Sequence, residues 1–142
     1  MRRIAVLLLL ASVAAAAADK SETLDALKER VAAAKPGKDR IELCVKVAQR
    51  EMKEADHLFD AGDTAKAQAA VQDIVTYGLR AIAEAKETRK RMKQTEIAVR
   101  KLTEHMNDLG KTLAYDDRAP VAAAVKKLDT ARSDLLAAMF KR

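Results

Sequence analysis

Residues 63–113 read DTAKAQAAVQDIVTYGLRAIAEAKETRKRMKQTEIAVRKLTEHMNDLGKTL, and the fold class follows from them. The stretch has no proline, and its only glycines are Gly78 and Gly110. Ala, Glu, Lys, Gln and Arg dominate its polar positions, all of them good helix formers. Apolar residues return as Val71, Val75, Leu79, Ile82 and Ala85, then as Met92, Val99, Leu102, Met106, Leu109 and Leu113, mostly in steps of three, four or seven. That period is helical and not the alternation of a strand. One helix of this length spans about 75 Å at about 1.5 Å per residue. The expectation is therefore an all-α, elongated helical bundle with one long central helix and antiparallel partner helices. Good helix formers run through residues 84–93 and no proline kinks them, which predicts a continuous element. The competing arrangement breaks it and closes a compact four-helix bundle.

The flanking segments read as helices that need this partner. Residues 21–34 carry an inner stripe of Leu24, Leu27, Val31 and Ala34, with Glu22 and Asp25 suited to the positive end of the helix dipole. Lys35-Pro36-Gly37-Lys38 then stops the helix. Asp39 with Glu42 three residues on has the spacing of a capping box and predicts a helix over 39–60. Its stripe is Ile41, Cys44 or Val45, Ala48, Met52, Ala55 and Phe59. Asp60-Ala61-Gly62-Asp63 is a turn signal, with Gly62 ending one helix and Asp63 or Thr64 opening the next. A connection this short makes its helices antiparallel. Gly78 reads as a close-packing point within the long element. A second connection around Tyr115 to Pro120 leads to a last helix ending near Phe140, with Asp117 or the adjacent carboxylate as its cap and Pro120 in its opening turn. On these lengths the second half of the long helix has only one partner, and a homodimer would cover it.

Ala55, Leu58, Gly62, Asp63, Ala67 and Val71 fall near the small, apolar and turn positions of a tetratricopeptide repeat. Residues 45–75 thus resemble a single helical hairpin of that family. A full array would imply a concave protein-binding surface; no second copy at the family's interval accompanies this one, and no groove residue is carried over.

The first 18 residues stand apart from the fold. Arg2 and Arg3 precede an apolar run from Ile4 to Leu10, and small residues from Ala14 to Ala18 lead to Asp19. This is the pattern of a cleaved secretory signal peptide, its apolar stretch short for a membrane span, with an uncleaved N-terminal anchor as the alternative. It predicts a periplasmic or secreted chain, with residues 19–142 forming one helical domain that has no transmembrane span. Loss of the leader lowers the formal charge from +6 to +4. An exported chain with so modest an excess and no binding motif excludes nucleic acid as the partner. Cys44 is the only cysteine, so it forms no internal disulfide and no CxxC site, and its stripe position predicts a buried small hydrophobe.

Catalytic patterns are lacking: no nucleophile elbow, no phosphate loop and no metal-protease motif. His57 sits near Asp56 and Asp60, and His105 between Glu104 and Asp108, each too sparse for a three- or four-ligand metal site. The sharpest surface feature is Lys86, Arg89, Lys90, Arg91 and Lys93, set against Glu84 and Glu87. These cations are the candidate contact for anionic lipid, envelope polysaccharide or an acidic protein; the plainer reading is a solvated helix waist. The function that follows is an exported, non-enzymatic structural or protein-interaction module of the bacterial envelope, whose partner is an envelope protein or a second copy of the chain. The alternatives are an anion- or membrane-surface-binding accessory protein and a metal-binding protein. No cofactor is implied.

Overall fold

A computed structural model of the chain describes residues 22–141. The leader assigned to residues 1–18 lies outside them. The described residues form an all-α helical bundle of five helices: α1 (Leu24–Ala33), α2 (Lys38–Asp60), α3 (Thr64–Thr88), α4 (Met92–Thr112) and α5 (Tyr115–Phe140). No helix among the described residues is long and apolar enough to cross a membrane.

Two hairpins are stacked. The α2–α3 hairpin turns at Gly62, whose positive φ of 78° suits a residue without a side chain, and Asp63 caps α3 by accepting from the Lys66 amide. This is the hairpin of the tetratricopeptide resemblance, though helices of 23 and 25 residues make it longer than a repeat of about 34 residues. The α4–α5 hairpin folds back on it so that like helices run parallel. Asp56 of α2 meets His105 of α4 near one end, and Glu42 of α2 meets Arg91, the residue just before α4, at the other. On the other side Gly78 of α3 meets Leu128 of α5. Helix α1 lies antiparallel against α2 and seals the first hairpin with Leu27 and Val31, both fully buried.

The continuous central helix is not what forms. It breaks between Thr88 and Met92, where Arg89 and Arg91 take left-handed backbone conformations, φ 58° and 55°. Local propensity opposes this, since each such residue costs about 1–2 kcal/mol. Tertiary burial wins. Val99, Leu102, Met106 and Leu128 are each at most 5% exposed, and burying a side chain of this size is worth about 1.5–3 kcal/mol. A straight helix would keep the second hairpin away from the first and leave much of that surface wet. Polar contacts fix the bend: Thr88 donates to the Glu84 carbonyl, Arg89 reaches α5, and Arg91 pairs with Glu42.

Two local expectations also change. Helix α2 starts at Lys38 with Gly37 as N-cap, so Asp39 lies within the first turn and Glu42 turns outward to Arg91, without a capping box. Helix α5 opens at Tyr115 with Ala114 as N-cap, which leaves Asp117 inside the helix and Pro120 beyond its first turn. Helix α4 runs through Gly110 to Thr112. Helix α1 is capped by Thr23, whose side chain accepts from the Ala26 amide.

Gly78 is the close-packing point expected of it. A Cβ there would lie 2.8 Å from Leu128 Cδ2, and Leu128 is itself fully buried. Alanine would gain about 1 kcal/mol in helix propensity, against about 1–3 kcal/mol for overpacking. Gly78→Ala is expected to lower stability by about 1 kcal/mol on balance. A raised thermal midpoint would show that Leu128 swings aside freely.

Candidate functional site

The antiparallel course of the helices sorts charge between the two ends of the bundle. One end gathers the α1–α2 turn, the end of α3, the 89–91 bend, the start of α4 and the end of α5. Lysines dominate it: Lys35 and Lys38 come from the first turn, Lys86 from α3, Lys90 from the bend and Lys93 from α4, all exposed. None of the five makes an ion pair among the described residues. The opposite end carries Asp56, Asp60, Asp63, Asp116 and Asp117. This polarity suits the three helices α1, α3 and α5, whose C-termini lie at the basic end.

The five cations picked out in the sequence divide into two kinds. Lys86, Lys90 and Lys93 remain at the surface. Arg89 is spent on the fold: its guanidinium donates to the Ala138 carbonyl at 2.9 Å and to the Lys141 carbonyl at 3.3 Å, satisfying the loose end of α5. Arg91 pairs with Glu42, and its Nε is buried without a hydrogen-bond partner. The arginines therefore build the end, and the lysines face outward from it.

Lys35 and Lys38 do not belong to that charge run, because they lie about 50 positions before the bend. The fold brings them there. The ammonium of Lys90 comes within 4.0 Å of where a Cβ on Gly37 would stand. An open groove of about 400 Å³ runs between Ala34, Lys35, Pro36, Gly37, Lys38, Asp39 and Lys90.

Behind this surface, Glu84 holds the two segments together. It is 7% exposed, accepts from the Gly37 amide at 3.0 Å and receives the Arg40 guanidinium at 2.8 Å. The Glu84 contact stands at the start of α2, which has no side-chain cap of its own. Arg40 is held above its ordinary value, chiefly by the Glu84 hydrogen bond. Two more buried carboxylates have cationic partners of the same kind: Glu96 with Arg132 at 3.0 Å, and Glu51 with Lys28 at 3.0 Å. The sequence carries a signal for all three. Each glutamate lies on an apolar stripe, Glu51 between Ala48 and Ala55, Glu84 three after Ala81, and Glu96 three before Val99.

The histidine clusters are rearranged. His57 lies near the end of α2, while His105 leaves its local carboxylates and meets Asp56 across the hairpins at 2.7 Å. No group of three or more His, Cys, Asp or Glu side chains converges among the described residues. Cys44 is 1% exposed, and burial pushes its thiol pKa up, so it packs as the small hydrophobe expected. No family model, no curated protein and no solved structure matches the chain.

Proposed function

We propose that this chain is an exported, non-enzymatic interaction module of the bacterial envelope, and that its contact surface is the basic end of the bundle. The observation that carries the reading is the division of labour among the cations there. Arg40, Arg89 and Arg91 are tied to Glu84, to the end of α5 and to Glu42, whereas five lysines from separate segments stay unpaired among the described residues. Unpaired like charges repel one another, and a fold keeps them together at some cost. An anionic partner removes that cost. The internal ion pairs support a structural assignment for the buried carboxylates, each of which joins two helices.

Replacing Lys35, Lys38, Lys86, Lys90 and Lys93 by glutamine tests this while leaving both arginines, and so the bend, in place. The wild type should be retained on a polyglutamate surface at low salt and released as salt shortens the Debye length from about 30 Å to about 8 Å. The glutamine variant should pass through with its helix content intact. Equal retention of the two proteins would remove the basic end from consideration. The structural reading, in which the chain pairs with a second copy, is favoured by no observation of this kind.

A further inference from the structure

The basic end also carries one of the two large hydrophobic side chains that the fold leaves open among the described residues. Phe140 is 82% exposed at the last residue of α5, and Tyr115 is 85% exposed at the first. They stand at opposite ends of the molecule. Tyr115 is followed by Asp116 and Asp117 at the acidic end. Phe140 is followed by Lys141 and preceded by the half-buried Met139. Arg89 fixes its position, since its hydrogen bonds to the Ala138 and Lys141 carbonyls bracket Phe140 and tie the end of α5 to the bend that carries Lys90.

We infer that the basic end is a membrane-docking surface that takes an anionic bilayer, with the lysines on the headgroups and Phe140 entering the boundary between headgroups and acyl chains. This rests on the reading of the basic end as the contact surface and names the partner. Three features favour a bilayer over an acidic protein face. First, the unpaired cations at this end are all lysines among the described residues. Shaped, bidentate recognition of a carboxylate uses arginine, whereas a compact ammonium on a flexible stem acts as a point charge and suits a fluid array of headgroups. Second, they come from several segments, the first turn, α3, the bend and α4, so their charge is laid out over the end of the bundle and not gathered at one point. Third, an aromatic side chain beside the lysines has no internal use, and an apolar ring next to cations is the pairing that membrane-surface segments employ. Lysines near an anionic leaflet each contribute attraction that falls off within a Debye length. Insertion of the ring then supplies a part of the affinity that salt does not screen.

The test uses the absence of tryptophan from the chain. Phe140→Trp introduces a single fluorophore at the proposed point of entry, and Tyr115→Trp places one at the acidic end. With vesicles of phosphatidylglycerol and phosphatidylcholine at low salt, the emission of the fluorophore at position 140 should shift to the blue and be quenched by acyl-chain-brominated lipid, while that of the fluorophore at position 115 stays unchanged. Phe140→Ala should weaken vesicle binding by about tenfold, the scale expected for burying one such ring. Tyr115→Ala should leave it as it was. Vesicles of phosphatidylcholine alone should bind neither form. The inference is overturned if the fluorophore at position 140 neither shifts nor is quenched, or if Phe140→Ala binds as well as the wild type. Retention on polyglutamate that survives those failures would leave the basic end as a contact surface for an acidic protein, so the two readings fail separately.

Discussion

Glu84→Ala is expected to cost about 3 kcal/mol of stability at neutral pH, the scale of losing one partner of a buried hydrogen-bonded ion pair. Three things go at once. The Gly37 amide, in a buried turn, loses its acceptor at 3.0 Å; the Arg40 guanidinium loses both carboxylate oxygens; and the start of α2 loses the negative charge that faces it. Arg40 can turn toward water, so the lasting loss is at Gly37 and at the helix terminus. Glu84→Gln separates these contributions, because its amide oxygen can still accept from Gly37 while the charge is gone. It should cost roughly half as much. Urea unfolding of the two variants beside the wild type measures both, and a loss under about 1 kcal/mol for the alanine variant would mean that water replaces the carboxylate at little cost. The same variants bear on the proposed contact surface, for Glu84 holds Gly37, between Lys35 and Lys38, against α3.

The limits of the sequence are clearest at the same place. The helix over 38–60, the turn at Gly62, the end near Phe140 and the tight contact at Gly78 are all local or periodic signals, and they are present in the structure. The break at 89–91 has no local signal, since Glu, Thr, Arg and Lys there offer neither proline nor glycine. What decides it lies elsewhere in the chain: Glu42 draws Arg91, the open carbonyls of α5 draw Arg89, and the stripe of α4 finds the stripes of α2 and α3. The candidate site shares this dependence. Lys86, Lys90 and Lys93 are legible as a charge run, but their sorting from Arg89 and Arg91 depends on partners far along the chain. Lys35, Lys38 and Phe140 join them only after the helices have been folded into an alternating stack.

The second large effect concerns the attachment of α1, and its size depends on pH. Lys28 places its ammonium 3.0 Å from Glu51 and 2.8 Å from Asp73, bridging α1 to both helices of the first hairpin. Burial opposes its charge, yet the two carboxylates prevail and raise its pKa above the ordinary 10.5. Glu51, with its side chain 5% exposed, is pushed above the ordinary 4.5 by burial, and Lys28 only partly offsets this. In Lys28→Met the Glu51 carboxylate keeps its burial and loses its cation, while Asp73, 40% exposed, falls back on water. The expected loss is about 3 kcal/mol at roughly pH 7.5. A carboxyl whose folded pKa lies above its unfolded one binds protons more tightly when folded, so its stability contribution is fullest in acid and is lost as pH rises through the folded value. Removing Lys28 raises that folded value further. The gap between variant and wild type should therefore narrow as pH falls from neutral toward the ordinary carboxyl range, because Glu51 in the variant takes up its proton on the way. Adding Glu51→Gln to Lys28→Met should recover most of the loss at neutral pH and flatten the pH dependence, because no buried charge is then left to neutralise. Urea midpoints of the single and double variants across this range decide the matter: a gap of the same size at every pH would mean that Lys28 holds α1 by the packing of its stem, and that the charge pairing from Lys28 to Glu51 adds nothing to it.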